Sequence, residues 1–204
     1  MFSLQPYILT RFSDALVPDS ASNPRESSNL VVLQGEAGDD LFSEPGTERR
    51  VSQLRPLGAW LAGDQFQLSA RVHVDFRATF DSAVLFGWVD QDRWFKICSE
   101  LDPQGRARVV SVVTRGRSDD SNGGFLSEDA VFLRVSRAGR LIALHSSSDG
   151  MSWDLVRLFE MNIEATESMF LGIAVQSPMG GGTVASFDEI RFAPHALANP
   201  RDGS

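Results

Sequence analysis

The feature that most constrains the fold is a strict alternation of apolar and polar residues in the segment FQLSARVHVDF, residues 66–76. Successive side chains of an extended strand point to opposite faces. The apolar residues from Phe66 to Phe76 therefore share one face, and the polar residues between them share the other. This period of two predicts a strand with one buried face and one solvated face.

Segments of the same kind recur along the chain. Residues 83–89 are apolar on both faces, which is typical of a central strand, and turn-forming residues such as Asp149-Gly150 separate the segments. No long helical stripe lies between them, so we predict an all-β fold, an antiparallel two-sheet sandwich with less than about a tenth helix. Further strands are predicted over 93–101, 107–115, 131–136, 140–147, 153–159, 169–176 and 183–192.

The two ends of the chain give weaker signals. LVVLQG, residues 30–35, predicts a strand, and residues 55–64 are expected to lead into a sheet. Residues 18–29 and 36–50 are rich in Pro, Ser, Asp, Glu and Gly, which predicts loops. Residues 194–204 are expected to form a frayed tail.

No internal repeat and no second hydrophobic pattern divides the chain. We therefore predict a single β-sandwich domain over residues 1–204, in which residues 1–53 form a strand-and-loop part of the same domain.

Composition restricts the partners and the compartment. The chain has 19 basic and 27 acidic residues, a net charge of −8, which argues against binding to nucleic acid or to an anionic membrane surface. Cys98 is the only cysteine, so no disulfide framework is expected. The start of the chain lacks a signal-peptide pattern, and no segment approaches the roughly 18 apolar residues of a membrane span. The expectation is a cytoplasmic protein.

The segment WFKICSE, residues 94–100, is the first candidate for a functional surface. Trp94, Lys96, Cys98 and Glu100 share one face of the predicted strand. Lys and Glu alone are ordinary on a wet face, where their interaction is weak. Trp and Cys prefer burial, so their presence favours a concave and partly dry surface.

The segment TRGRSDDSNGG, residues 114–124, is the second candidate. It is either a solvated loop or a ligand-binding loop with Arg115, Asp119, Asp120 and Asn122. The three acidic and amide side chains could bind calcium, but the spacing of an EF-hand is missing. No paired His or Cys motif for a metal and no nucleotide-binding motif is present, so no metal and no cofactor are predicted.

The segment ALHSSSDGMSWDLVR, residues 143–157, is the third. Ser147 and Asp149-Gly150 predict a hairpin turn, after which Trp153 is expected to return to the core. His145 and Arg157 lie on the two arms. A single His on a strand is either a hydrogen-bonded structural residue or a catalyst, and the sequence leaves both open.

Several motifs together resemble a known family. The stretches TFDSAVLFGWVDQDRWFKICSE, VVSVVTRGRSDDSN, LRVSRAGRLIALHSSSDGMSWDLVRLF and GIAVQSPMGGGTVASFDEI are similar, in this order, to the "regulation of enolase" family of unknown-function proteins. The resemblance covers residues 54–192 and implies a concanavalin A-like jelly roll. It implies no reaction. The family's recurrent polar positions correspond to Lys96, Glu100, Arg115, Ser118, Asp119, Asp120, His145, Arg157 and Gln176.

The residue pattern and the implied jelly roll together predict a polar cup on one concave sheet. Such cups commonly hold sugars or other polyols. The expected lining residues are Glu100, Arg115, His145, Arg157 and Gln176, with Trp88 and Trp94 at the rim and Asp119, Asp120 and Asn122 as further ligand-binding candidates.

Three functions are compatible with this cup. The first is a module that binds a small molecule, with a sugar or other polyol as the ligand. The second is a cofactor-independent lyase, isomerase or cyclase, in which Glu100 or His145 is the base and Lys96 or Arg115 stabilises negative charge. The third is an interaction protein without a small ligand. We expect a nearby cation to keep Glu100 ionised at pH 7.

A glucanase mechanism is excluded on the sequence. Glu100-Leu101-Asp102 begins the E-x-D-x-x-E pattern of jelly-roll glucanases, but Gly105 stands where the second glutamate must be. A retaining mechanism needs two carboxyl groups about 5 Å apart, and this segment supplies only the first of them.

Overall fold

The structure is a computed structural model that describes residues 30–164 and 166–204, and these residues form strands and turns without a helix. The loop predicted over residues 18–29 lies outside the described residues. The described strands are β1 (Val31–Glu36), β2 (Asp40–Ser43), β3 (Arg50–Gln53), β4 (Leu57–Leu61), β5 (Gln65–Val74), β6 (Ser82–Asp90), β7 (Arg93–Leu101), β8 (Ala107–Arg115), β9 (Arg117–Phe125), β10 (Ala130–Ala138), β11 (Leu141–Ser147), β12 (Asp154–Glu160), β13 (Met169–Gln176) and β14 (Gly182–Ala193).

The strands form two six-stranded antiparallel sheets and a separate hairpin. Sheet I has the order β1-β14-β5-β10-β11-β12, sheet II has the order β4-β13-β6-β7-β8-β9, and β2 pairs with β3 alone. The sheets pack face to face on alternate apolar residues, such as Leu68 and Leu133 of sheet I and Leu85, Phe95 and Ile173 of sheet II, all fully buried. The predicted all-β two-sheet sandwich is confirmed, because the period of two buries one face of each strand.

The differences from the predicted strands fall on polar segments. Most of the loop predicted over residues 114–124 is instead the strand β9, which lies at the edge of sheet II and pairs only with β8 among the described strands. An edge strand can be polar on both faces because solvent reaches it. The loop predicted over 36–50 contains β2, and β3 begins at its last residue, Arg50. Each of these strands has four residues, which is too short to show a periodic pattern.

The outer face of sheet II is covered by the β2–β3 hairpin. Leu41 of β2 is 2% exposed and packs on a second apolar cluster, separate from the core between the sheets. The sheet residues of this cluster are Val84, Phe86, Trp88, Trp94, Cys98, Val110, Val112, Phe170 and Ala174. The face that carries Trp94 and Cys98 is therefore mostly an interior surface, as the preference of these residue types for burial indicates.

The outer face of sheet I is partly covered by the C-terminal segment. The residues predicted to form a frayed tail are instead docked on this face. The Pro200 carbonyl oxygen accepts a hydrogen bond from His145, and the Gly203 carbonyl oxygen accepts one from Arg134. Trp153, predicted to return to the core, instead stacks on the Arg134 guanidinium on this outer face.

The turn predicted at Asp149-Gly150 is present. The Ser147 hydroxyl oxygen accepts hydrogen bonds from the backbone N–H of Asp149 and of Gly150, whose φ is 72°. The Asp149 carboxylate accepts from the backbone N–H groups of Met151 and Ser152, and these bonds lower its pKa to about 2. No helix in the described part of the chain is long and apolar enough to cross a membrane.

Candidate functional site

One row of polar residues crosses the outer face of sheet II at its end. The strand register places Gln176 of β13 opposite Ser82 of β6, Ser82 opposite Glu100 of β7, and Glu100 opposite Arg108 of β8. Lys96 lies on the same face of β7. We call these five residues the Glu100 site.

Lys96 and Gln176 hold the hairpin on this face. The Lys96 ammonium, only 3% exposed, donates hydrogen bonds to the Leu41 carbonyl oxygen and to Gln176 Oε1, both at 2.9 Å. Gln176 Nε2 in turn donates to Asp40 Oδ1 at 2.7 Å. The buried cation therefore has defined acceptors, and both side chains attach β2 to sheet II instead of lining an open cup.

Glu100 differs from its neighbours because its carboxyl group has no partner. It is mostly buried, and no hydrogen bond or ion pair to it occurs within the described residues. Its pKa is raised to about 7: burial is the main cause, the charges of Asp40 and Asp120 act in the same direction, and those of Lys96 and Arg108 oppose the shift. The expectation that the nearby cations would outweigh burial is wrong: burial is the larger effect, so about half of the Glu100 carboxyl groups are protonated at pH 7.

A carboxyl group with this pKa can either donate or accept a proton near neutral pH. Perturbed groups of this kind cluster at functional sites. The chemical capability of the Glu100 site is therefore hydrogen bonding or proton exchange with a molecule that reaches the exposed edge of Glu100.

Two neighbours of Glu100 also have unsatisfied polar atoms. Ser82 Oγ and Arg108 Nε are buried and have no hydrogen-bond partner among residues 30–164 and 166–204. Buried polar atoms of this kind are normally satisfied by water or ligand. Both residues are cross-strand neighbours of Glu100, one on each side.

Arg108 is the functional candidate that sequence reasoning missed. Its Nη2 donates to the Gly123 carbonyl oxygen at 2.9 Å, its Nη1 lies 3.6 Å from the Asp102 carboxylate, and its guanidinium lies 4.6 Å from the centre of the half-exposed Phe125 ring. The signal was available, because the short turn after β7 pairs Glu100 with Arg108.

Arg115, predicted to line the same surface as Glu100, lies on the opposite face of sheet II. It pairs with Arg93, whose side chain alternates with those of Lys96 and Glu100. Its guanidinium donates to the Glu160 carbonyl oxygen of sheet I. The β7–β8 register joins even-numbered residues to even-numbered residues, so an odd-numbered residue of β8 cannot share the face of Glu100.

His145 and Arg157 were predicted in the cup with Glu100, but they belong to sheet I. His145 lies on the outer face of that sheet, where burial lowers its pKa to about 4. Arg157 of β12 forms an ion pair with Asp119 of β9 at 2.7 Å. Because β12 and β9 are edge strands of different sheets, this pair joins the two edges of the sandwich.

The remaining candidates divide between the buried and exposed parts of the face. Trp88 and Trp94 are 7% and 1% exposed and lie beneath the hairpin, so they do not form the predicted rim. Asp120 and Asn122 pair with outward-facing residues of β8 and are exposed. Asp119 points to the other face, so the three oxygen-bearing side chains do not converge on one calcium position.

Comparison with known proteins identifies the family. A family model described as "Protein of unknown function (DUF1349)" matches residues 18–195. The chain belongs to this family. Regulation of enolase protein 1 of Saccharomyces cerevisiae is 29% identical over 128 residues, which are 62% of this chain and 63% of that protein. The match therefore spans less than two thirds of this relative, and the predicted resemblance is confirmed.

Solved structures share the fold of this DUF1349 protein. A functionally unknown protein from Saccharomyces cerevisiae has a TM-score of 0.75 at 24% identity, with 85% of this chain and 94% of that chain covered. A xylan β-1,4-xylosidase from Bacillus halodurans C-125 has a TM-score of 0.65 at 15% identity, with 83% of this chain but 33% of that chain covered. The GH43 BlXynB protein from Bacillus licheniformis has a TM-score of 0.62 at 14% identity, with 88% and 36% covered. At these identities the likeness is one of fold.

Proposed function

We propose that this protein binds a polar small molecule, a sugar or another polyol, at the Glu100 site. The observation that carries the proposal is the Glu100 carboxyl group, which is mostly buried, has a pKa of about 7 and lacks a partner among the described residues. An unpaired and partly buried carboxyl group lowers stability when it is ionised, and such a cost is typical of a binding or catalytic site.

Sugar hydroxyl groups suit the unsatisfied atoms of this site. Each hydroxyl donates one hydrogen bond and accepts others. It can therefore donate to the Glu100 carboxylate and accept from Arg108 Nε, or bond to Ser82 Oγ. The exposed Asp120 and Asn122 side chains on β9 offer further hydrogen bonds beside Glu100.

The comparisons support sugars as the first ligand class to test. The sandwich is similar in fold to parts of a xylan β-1,4-xylosidase and of a GH43 protein. Fold similarity alone does not transfer a ligand, so the argument for a sugar depends on the polar atoms of the Glu100 site.

The direct experiment is a saturation-transfer NMR titration with xylose, arabinose, glucose, xylobiose and glycerol. We expect saturable binding of at least one saccharide. Glu100→Gln keeps the shape of the side chain but removes its charge, so we expect binding to weaken about 10-fold or more, as for the loss of a charge-assisted hydrogen bond.

The matched control is Glu128→Gln, which changes an exposed carboxylate near β10 of sheet I and should leave binding unchanged. Binding that is equally strong in wild type and Glu100→Gln would contradict the proposed site. Absence of saturable binding by every saccharide and by glycerol would contradict the proposed ligand class.

A second candidate function is proton transfer by Glu100 in a cofactor-independent lyase, isomerase or cyclase. The pKa of about 7 favours it, because a general acid or base is most effective when its pKa is near the working pH. Arg108 replaces Arg115 as the cation opposite Glu100. Lys96 has its hydrogen bonds committed to Leu41 and Gln176, and His145 is on the other sheet.

The two candidates are distinguished by the fate of the ligand. If Glu100 only binds, the NMR spectrum of a bound saccharide remains unchanged after prolonged incubation. If Glu100 transfers protons, new signals or deuterium incorporation from heavy water appear at a rate that falls at least about 100-fold in Glu100→Gln. Exchange at an equal rate in Glu100→Gln would exclude catalysis by this residue.

A further inference from the structure

A second buried charge lies on the opposite side of the molecule, on the outer face of sheet I. Arg134 of β10 and His145 of β11 are cross-strand neighbours and are only 7% and 0% exposed. Residues 199–204 cover them. An arginine is rarely buried without a carboxylate or phosphate partner, because removing its charge from water is costly.

Arg134 has no such partner among the described residues. Its Nη2 donates to the neutral Gly203 carbonyl oxygen at 2.7 Å, its guanidinium lies 4.1 Å from the centre of the Trp153 ring, and its Nε has no hydrogen-bond acceptor. Burial lowers the pKa of Arg134 to about 10, and no acidic neighbour opposes this shift. The guanidinium charge is therefore uncompensated.

His145 contributes a second donor to the same place. Its Nε2 lies 2.9 Å from the Pro200 carbonyl oxygen, which can only accept, so Nε2 carries the proton. Its Nδ1 is buried and has no hydrogen-bond partner in the described part of the chain. Asp202 is the acidic residue of the covering segment, but its carboxylate accepts hydrogen bonds from Asn199 and Ser204 and none from Arg134.

Two neutral carbonyl oxygens are thus the acceptors for Arg134 Nη2 and His145 Nε2. We propose that Arg134, His145 and Trp153 form a binding site for a small oxyanion, a carboxylate or phosphate group, and that residues 199–204 cover this site reversibly. A guanidinium fork held by ring stacking is suited to two anionic oxygens. Pro200 and Gly203 also lie beyond residue 195, where the match to the family model ends.

Gly203 provides a way to release the cover. Its φ is 79°, and an added Cβ would lie 2.7 Å from Arg134 Nη2 and 2.7 Å from Trp153 Cβ. Both the left-handed backbone and these contacts exclude a side chain. Gly203→Ala should therefore displace the segment without changing Arg134, His145 or Trp153.

The experiment is a two-dimensional ¹H–¹⁵N NMR titration of the full chain with acetate and, separately, with inorganic phosphate, at constant ionic strength set with chloride. We expect saturable shifts confined to Arg134, His145, Trp153 and residues 199–204. Because the cover competes with the anion, the Kd should be lower in Gly203→Ala than in wild type, by about 5-fold or more. The anion with the lower Kd identifies the preferred group.

Two further variants test the contacts. Arg134→Met should raise the Kd at least about 10-fold, because it removes the charged donors. Arg191→Met, a matched control that removes an exposed arginine from sheet I, should leave the Kd unchanged. If the Met variant does not fold, Arg134→Lys takes its place. It keeps the charge but loses the planar fork, so it should also bind the anion more weakly than wild type.

The proposal is overturned if neither wild type nor Gly203→Ala gives saturable shifts at these residues. It is equally overturned if Arg191→Met weakens binding as much as Arg134→Met, because the effect would then be nonspecific attraction. An Arg134→Lys variant with wild-type affinity would also overturn it, since a fork would then not be needed.

Discussion

The two outer faces of the sandwich each bury a cation beneath a covering segment, but only one of the cations has polar partners placed for it. On sheet II, the Lys96 ammonium bonds to the Leu41 carbonyl oxygen and to Gln176 Oε1 beneath the β2–β3 hairpin. On sheet I, the Arg134 guanidinium bonds to one carbonyl oxygen and leaves Nε unsatisfied. A buried cation held by several polar acceptors is an anchor, whereas one with a buried donor left unsatisfied indicates a ligand site.

The unpaired groups also have opposite chemistry. On sheet II the group without a partner among the described residues is a carboxyl group, Glu100, and on sheet I the group without an acidic partner among them is a guanidinium cation, Arg134. The first face is therefore suited to a ligand that donates hydrogen bonds, such as a polyol, and the second to an anion. The following experiments test this contrast in order of decreasing expected effect.

The largest effect is expected from Leu41→Ala. This change removes the apolar side chain that β2 buries on the outer face of sheet II, and large-to-small changes at buried leucines cost about 2–5 kcal/mol of unfolding free energy. Urea denaturation measures the loss. Val32→Ala, at a position 59% exposed, is the control and should change stability by less than about 0.5 kcal/mol. Equal effects would show that the hairpin is not anchored by Leu41.

Lys96→Met is expected to cost about 2–3 kcal/mol of unfolding free energy. The variant fills the space but leaves the Leu41 carbonyl oxygen and Gln176 Oε1 without a donor, and each unsatisfied buried group costs about 1–3 kcal/mol. Relief of the buried charge offsets part of the sum. A loss near zero in urea denaturation would show that Lys96 is not an anchor and would remove the contrast with Arg134.

Glu100→Gln is expected to raise the unfolding free energy relative to wild type at neutral and alkaline pH, but not at pH 4. The folded-state pKa of about 7 exceeds the unfolded value of 4.5, so wild type loses stability as the pH rises from about 4.5 through 7. Since a tenfold difference in acid constants corresponds to about 1.4 kcal/mol, the variant should be more stable than wild type at pH 8 by up to about 3 kcal/mol. At pH 4 the two should be equal.

The matched control for this pH series is Glu128→Gln, whose carboxylate is exposed in the loop between β9 and β10. Its stability relative to wild type should be the same at pH 4 and pH 8. If Glu100→Gln were destabilised at pH 8, Glu100 would be an ion-pair partner that the fold requires.

The smallest effect is expected from Arg134→Met. It removes one hydrogen bond and the stacking on Trp153, but it also removes an uncompensated buried charge, so stability in anion-free buffer should change by less than about 1 kcal/mol. Thermal or urea unfolding checks this. A loss of about 3 kcal/mol or more would mean that Arg134 is a structural anchor like Lys96.

The strands and the paired faces of the fold could be predicted because burial imposes a period of two. The alternation in 66–76 and the turn at Asp149-Gly150 are local signals, and the structure has both features. The strand β9 was missed because its sequence, RSDDSNGGF, is polar on both faces, so its pairing depends on β8 rather than on its own pattern.

The candidate site was predictable only where one hairpin connects the residues. Glu100 and Lys96 share a strand, and Arg108 could have been placed opposite Glu100 from the short turn between β7 and β8. The sheet to which His145 belongs depends on how distant strands pair, which no local pattern specifies. The sequence also could not indicate that burial would outweigh Lys96 at Glu100, because the hairpin that buries this face was predicted as a loop.

The most direct test of the account is a measurement of the Glu100 pKa. The side-chain carboxyl ¹³C shift of Glu100, assigned by comparison with Glu100→Gln, is followed from pH 3 to pH 10 in the ligand-free protein. The unpaired and mostly buried carboxyl group should titrate with a midpoint of about 7. A midpoint near the ordinary value of 4.5 would mean that water or a protein group already stabilises the carboxylate, and would contradict the Glu100 site as the centre of function.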